Sequence, residues 1–508
     1  MTRTFRRFMC LSWVALVLGL AACDDVVEPD DLTDGGVDGG GDADTDADTD
    51  ADTDTDTEGD TDWPDNPICD PPAELPPVLE TIAFTGEPNG TLWGGGTIAA
   101  DLDGDGLDDL LLLDRGGSVP TTTSYPDVRG AIYVFYGRAS FEPEISVLDA
   151  DAILRGAWEF ATAAGDVNSD GLEDAAYTSH EGMHLIYGSE TRLSGEQLSA
   201  DVGTTMTATL PDGAPEYMKV SGGFDANGDG LADLLVDVRA ESDWWLPTER
   251  TYLVLGRTSP LPSEFPLEGA DAVFEGTADD AHSYIGSAAA GDPDGDGYDD
   301  LLLPVVDGVD STSGAGLFYG GDAVFDGAVD VADGDAFFPW YTLWATLGAL
   351  GDLDGDGLGD VALAKMEIIP VVYGRADRFS GTIYQSEVDF VIRADGTDPY
   401  LAGLATGDVN GDGRPDIVVG DPHDATHGTQ SGALYVIFGQ DGQLGCDIDL
   451  QPAYAVRYGE PSEDLGYAVT SGGDVNGDGF DDIVAGAPGN AVGDEGGGRA
   501  YLLLGQSF

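Results

Sequence analysis

Basic side chains are scarce in this sequence: 19 of its 508 residues are Lys or Arg, against 97 Asp or Glu, and the formal net charge is -78. Nucleic acid and anionic lipid headgroups would be repelled, which excludes both as natural partners and leaves cations as the obvious counterparts. Cysteines number four and histidines five. His423 and His427 share one segment with Asp424, DPHDATHGTQSG, but it is a Gly-bounded loop between strands and reads as surface rather than as a metal site. There is no Cys nucleophile, no Gly-x-Ser-x-Gly turn and no phosphate-cradling Gly-Lys-Ser/Thr. What is abundant is glycine, at 75, beside 42% hydrophobic residues. Such a chain can bury a large core and make many tight turns, and the mixture reads as all-β.

The first residues address the chain. Arg3, Arg6 and Arg7 precede an apolar run from Phe8 to Leu20, the pattern of a signal peptide over residues 1–22. Its end, Leu20-Ala21-Ala22-Cys23, resembles the lipobox of bacterial lipoproteins. That resemblance implies cleavage before Cys23 and a diacylglycerol on its thiol; ordinary cleavage of a freely secreted protein is the alternative. Asp24 and Asp25 resemble an inner-membrane retention signal of some Gram-negative bacteria, so either membrane stays open, with the outer membrane or cell surface favoured. Cys10 leaves with the signal and Cys23 is lipidated, so Cys69 and Cys446 remain to form one disulfide in an oxidising compartment.

Residues 23–68 hold the lipidated cysteine and an acidic tether. From Asp24 to Ile68 there are 19 Asp or Glu and no Lys or Arg, around the run DADTDADTDADTDTDTEGDTD. Alternating like charges extend the chain, and nothing apolar offsets the entropy of ordering it, so a disordered spacer is expected. The body then spans 69–508.

Within the body one pattern, D-x-[DN]-x-D-x-x-x-D, returns seven times, starting at Asp101, Asp166, Asp225, Asp292, Asp352, Asp408 and Asp474. The separations, 65, 59, 67, 60, 56 and 66, suit four strands and their loops, as in a propeller blade. After each acidic loop comes a short apolar strand, a variable loop, and a strand ending in Gly, as in IYVFYG, MHLIYG and LYVIFG. A fourth strand, such as DAILRG or DAVFEG, completes most units. The last unit stops after YLLLG, and Thr81–Pro88 resembles the fourth-strand segment Ala455–Pro461. An N-terminal strand completing the final blade would close the ring and remove its open edge. The fold expected is a seven-bladed β-propeller with four-stranded blades.

The loops, numbered 1 to 7 in chain order, carry the chemistry. Side chains at positions 1, 3, 5 and 9 and the backbone carbonyl at position 7 offer the hard oxygen ligands of Ca2+, up to seven ions in all. The candidate ligands are Asp101, Asp103, Asp105, Leu107 and Asp109; Asp166, Asn168, Asp170, Leu172 and Asp174; Asp225, Asn227, Asp229, Leu231 and Asp233; and Asp292, Asp294, Asp296, Tyr298 and Asp300. The remaining loops supply Asp352, Asp354, Asp356, Leu358 and Asp360; Asp408, Asn410, Asp412, Arg414 and Asp416; and Asp474, Asn476, Asp478, Phe480 and Asp482. The side-chain positions hold 24 Asp and 4 Asn, which repel one another unless a cation intervenes, so metal binding is expected to be coupled to folding. An EF-hand starts similarly but needs a carboxylate at position 12, where this chain has Leu112 in loop 1 and Ala485 in loop 7. A plain Asp-Gly turn does not explain a carboxylate at position 9 in all seven.

These units resemble the FG-GAP repeats of integrin alpha-subunit propellers and their bacterial relatives, over about residues 79–508. The resemblance implies a calcium loop between the first and second strands of each blade. It departs in one respect: integrin propellers keep calcium in only some blades, whereas every acidic loop matches in this sequence. An aromatic precedes each loop, at Trp93, Trp158, Tyr217, Tyr284, Trp344, Tyr400 and Tyr467, and reads as packing between blades. Trp244, Trp245, Trp340 and Tyr341 fall outside the repeat. By the family layout they lie on the face opposite the calcium, where aromatics can stack on sugars or anchor a protein. The expectation is a calcium-binding envelope lipoprotein, monomeric, touching the membrane through its lipid alone and binding a protein or glycan ligand. A glycan-cleaving lyase or hydrolase, or a purely structural surface component, are the alternatives.

Overall fold

The computed structural model describes residues 66–70, 79–87, 92, 98–115, 128–179, 182–209, 217–239, 250–275, 286–307, 312–322, 325–339, 345–365, 367–394, 399–450, 454–489 and 497–507. The chain divides into Met1–Thr57 and Glu58–Phe508. The signal peptide, Cys23 and the tether up to residue 65 lie outside the described residues, all of which belong to the second unit.

The first blade shows how the units are built. Its elements follow β1 (Thr81–Thr85) as β2 (Ile98–Ala100), β3 (Asp109–Asp114), β4 (Ala131–Phe135), β5 (Glu144–Ser146) and β6 (Ala152–Arg155). Strands β2, β3, β4 and β6 pair antiparallel in that order, and acidic loop 1 joins β2 to β3. Strands β3 and β4 are buried along their whole length, because neighbouring blades cover both faces. This is why they read as continuous apolar runs rather than as alternation. The first strands of the units are rich in Ala and Gly, as in IAA, AWEFATAAG, AAAG and ATLGALG, where adjacent units converge.

Seven such sheets form the propeller. The expected closure is present: β1 pairs antiparallel with Arg499–Leu503, in the register Ile82↔Leu502 and Phe84↔Ala500, and so supplies the fourth strand of the last blade. Six of the sheets also gain a fifth, short strand that the repeat pattern did not announce. Strand β5 leaves its own unit and pairs parallel with β1 of the preceding blade, Ala83↔Glu144. Gly195–Leu198 does the same on β6, and Ile448–Leu450 on Phe390–Ala394. Among the described residues the sixth blade has four strands, and the last blade takes its third strand from Arg499–Leu503 and its fourth from β1.

Hydrophobic burial tracks the seams. Among the described residues there are seven buried clusters, each drawn from two adjacent blades. At the closing seam Ile82, Phe84 and Leu502 of the last blade meet Leu110, Leu112 and Tyr133 of the first. Phe84 is fully buried, with its ring centroid 4.9 Å from that of Phe135. Near the fifth and sixth blades, Cys69 and Cys446 are joined by a disulfide across 377 residues. The Cys69 amide donates to the Asp447 carbonyl at 2.8 Å, and the Asn66 side chain donates to the Asp389 carbonyl and to Asp447 Oδ1.

Candidate metal centres

Each acidic loop is folded by its own carboxylates before any ion is considered. The carboxylate at position 1 accepts the position-5 amide through Oδ1, and through Oδ2 the position-6 amide at 2.7–2.9 Å, in all seven loops. The carboxylate at position 5 accepts the position-7 amide in every copy. Position 6 is always Gly because the backbone there is left-handed: Gly106 has φ +85° and an added Cβ would touch nothing, so conformation and not space selects it. Position 4 is less strict, since Ser169 takes φ +65° where the other loops have Gly.

Position 9 has a role the spacing did not reveal. Asp109, Asp174, Asp233, Asp300, Asp360, Asp416 and Asp482 are all fully buried. Each accepts, at 2.7–2.9 Å, the amide of the Gly that ends the third strand of its own blade: Gly137, Gly188, Gly256, Gly320, Gly374, Gly439 and Gly505. In six loops the other oxygen accepts the position-2 amide at 2.8–3.2 Å. Loop 4 has Pro293 at position 2, which has no N–H to give, and Asp300 Oδ2 is left without a partner. Burial, opposed by these amides, pushes Asp109 up to about 7 and Asp482 up to about 8. The closing glycines are required sterically: a Cβ on Gly137 would lie 2.5 Å from Leu107 Cβ and 2.7 Å from the Asp108 carbonyl oxygen.

Consecutive loops are also bonded to one another. The residue after each closing Gly donates to the position-2 carbonyl of the preceding loop, from Ser189 to Leu102 through to Gln506 on Val409, and Arg138 to Val475 completes the circuit at 3.0 Å. Where position 8 is acidic, its carboxylate accepts the position-1 amide of the preceding loop: Asp108 from Asp474, Glu173 from Asp101, Asp299 from Asp225 and Asp481 from Asp408. Acidic residues at position 8 in four copies, and a Gly at the end of every third strand, were the sequence signals for these ties.

The donor sets fit a hard divalent cation. Carboxylate oxygens of Asp101, Asp103 and Asp109, of Asp292, Asp294 and Asp296, and of Asp352, Asp354 and Asp356 converge within 4.8 Å of one another. The Asn168 side chain, at position 3 of loop 2, is 3% exposed, and neither its Oδ1 nor its Nδ2 has a hydrogen-bond partner. A buried acceptor left unsatisfied is costly, and a bound cation would remove that cost. The sequence-predicted ligands thus divide: positions 1 and 9 build the loop and blade in every copy, while position 3 accepts the position-5 amide through Oδ1 in six loops and leaves its oxygen without a partner in loop 2.

Trp244, Trp245, Trp340 and Tyr341 lie outside the described residues. Of the recurring aromatics, Tyr400 and Tyr467 are described, and their rings meet edge-on across adjacent blades with centroids 6.3 Å apart. His423 packs tilted against Tyr400 with centroids 5.1 Å apart and His427 against Tyr458 at 4.2 Å, so the two imidazoles pack on separate rings.

A family model for the FG-GAP repeat matches residues 401–437 and 465–503, the first three strands and acidic loops of the sixth and seventh blades. Integrin alpha-PS5 of Drosophila melanogaster is 32% identical over 170 residues, 31% of this chain and 16% of the relative. Integrin alpha-7 of Homo sapiens is 34% identical over 106 residues, 21% of this chain and 8% of the relative. Integrin alpha-3 of Mus musculus is 35% identical over 95 residues, 18% and 9% respectively. The chain therefore spans less than a fifth of the length of these relatives. A solved structure of BBS1N in complex with ARL6DN superposes with a TM-score of 0.45 at 10% identity, over 85% of this chain and 98% of that one. With the same loop and closing glycine on all seven blades and family matches on the sixth and seventh, the chain is a seven-bladed β-propeller that carries FG-GAP repeats.

Proposed function

We propose that the chain is a calcium-binding module of the cell envelope, lipid-anchored through Cys23, whose propeller binds a protein or glycan ligand. The observation that carries the metal reading is the set of buried acceptors inside the acidic loops that accept no hydrogen bond, Asn168 Oδ1, Asp300 Oδ2 and Asp294 Oδ2, of which the last meets Arg378 as an ion pair. Oxygen-only donors favour Ca2+, whose flexible coordination shell suits a loop, over Mg2+, which demands octahedral geometry. The ligand reading is supported by the repeat itself. Features common to all blades are accounted for by loop and seam, whereas Trp244, Trp245, Trp340 and Tyr341 belong to single units. The integrin alpha subunits among the relatives are in keeping with a binding role. In this reading the chain touches the membrane through its lipid alone.

The test is binding of the purified full chain to a glycan array and to surface-protein libraries, with calcium and with chelator. Calcium-dependent capture of a defined ligand, weakened by Trp244→Ala with Trp245→Ala, is expected. Depolymerised glycan products would replace the binding reading with a lyase or hydrolase. A featureless array and library would leave a structural envelope component. Incorporation of a labelled fatty acid, lost in Cys23→Ala, tests the anchor.

A further inference from the structure

The loops differ in what the next blade places over them. At loop 1 the guanidinium of Arg192, from the second blade, bonds Asp103 through Nε and Asp105 through Nη2, the latter at 2.6 Å. It lies over the Tyr136 ring, 4.6 Å from the centroid. Loop 4 repeats the arrangement: Arg378, from the fifth blade, pairs ionically with Asp294 through Nε, donates to Asp296 through Nη2, and lies 4.4 Å from the centroid of Tyr319. Asp103 and Asp294, the position-3 carboxylates, are almost fully buried in these pairs.

The recurrence is positional. Arg192 and Arg378 each stand four residues after a closing glycine, Gly188 and Gly374. At the corresponding place Gln443 faces loop 5, Pro260 faces loop 2 and Phe141 faces loop 7. The phase is fixed independently, because in four of these five cases the next residue bonds the tyrosine of the preceding blade: Leu193 N–H to Tyr136 Oη, Leu261 N–H to Tyr187 Oη, Leu444 N–H to Tyr373 Oη, and Tyr319 O–H to the Phe379 carbonyl. Loop 5 is the one other loop with Asp at position 3, and among the described residues no guanidinium pairs with its Asp354 or Asp356; loops 2, 3, 6 and 7 have Asn at that position.

A guanidinium is permanently charged, and its fork matches two carboxylates while its face packs on an aromatic ring. It takes up the same oxygens that a divalent ion needs. We propose that Arg192 and Arg378 are resident counter-ions of loops 1 and 4, which take a divalent cation only by displacing a guanidinium, whereas the other five loops take it directly. The proposal rests on the reading of the loops as calcium sites. It predicts two classes of site in one ring, and among the three loops with Asp at position 3 a residue of the following blade separates loops 1 and 4 from loop 5.

Calcium titration of the chelator-stripped full chain, by calorimetry and equilibrium dialysis, tests it. The wild type is expected to show five tighter sites and two weaker by about tenfold or more, the scale of charge-assisted hydrogen bonds that must be broken. Arg192→Gln and Arg378→Gln each move one site into the tight class. Gln443→Arg, on an exposed part of the same connector, moves one out of it and keeps the test decisive if an arginine variant misfolds. Seven equivalent sites in the wild type, unchanged in every variant, overturn the proposal and leave the calcium reading intact. No bound calcium in any of them overturns both.

Discussion

The carboxylate of Asp108 accepts the backbone amide of Asp474 at 2.8 Å, tying the first acidic loop to the seventh across 366 residues of sequence. Together with β1 on the last blade it closes the ring. Asp108→Ala is expected to cost about 1–3 kcal/mol, the scale of a lost bond to a charged group. Phe84→Ala, which empties a fully buried site at the same seam, is expected to cost about 3–5 kcal/mol. Chemical denaturation midpoints measure both, and a wild-type midpoint for Phe84→Ala would contradict closure through β1.

Chelation should lower the melting temperature of the purified chain. A site held at a calcium concentration one hundred times its dissociation constant contributes about 2.7 kcal/mol by mass action, and several act together. Restoration by calcium, and less by magnesium, is the expected pattern in a thermal scan. Indifference to chelator would leave the loops as turns without ions.

Building the loop and holding the ion separate by position. Asp482→Ala strands the buried amides of Gly505 and Val475 and is expected to cost about 2–6 kcal/mol even in chelator, at about 1–3 for each. Asn168→Ala removes a side chain that makes no hydrogen bond. Its stability in chelator should match the wild type while one calcium site is lost from the titration. Equal destabilisation of both variants in chelator would refute this division.

His184 gives the ring an acid-sensitive point. It is fully buried, with Ser179 Oγ 2.7 Å from Nε2, Thr205 Oγ1 3.2 Å from Nδ1 and the Tyr177 ring stacked at 5.0 Å. Burial lowers its imidazole from 6.5 to about 4. The unfolded chain therefore takes up the proton first. The stability contribution is complete above pH 6.5, drains away as pH falls from 6.5 towards 4, and is constant below, a loss of about 3 kcal/mol at most. His184→Leu should flatten this part of the stability profile relative to the wild type, and parallel profiles would place the acid sensitivity elsewhere.

Blade number, strand order and the role of Thr81–Thr85 were legible because each is written in local pattern: an acidic nonapeptide at fixed phase, apolar runs, and an N-terminal segment resembling Ala455–Pro461. The fifth strands were not legible. Glu144–Ser146 is short, partly exposed and polar at its start, and its pairing is chosen by the position of the neighbouring blade rather than by its own pattern. The position-9 carboxylates read as ligands alone because their amide partners, such as Gly137 for Asp109, are 28 residues away. The arginines over loops 1 and 4 were hidden for the same reason: Arg192 lies 89 residues from Asp103, and only the propeller brings them together.

Strand donation puts the covalent unit and the folded unit out of step. Among the described residues every sheet but one borrows its rim from the next stretch of chain, and in those blades the same stretch bonds the acidic loop. Gaining or losing a whole copy would therefore create no junction of a new kind, and such a chain would still present matching ends. Severing the molecule between two blades, by contrast, would cost one side its rim and that loop bond at a single stroke.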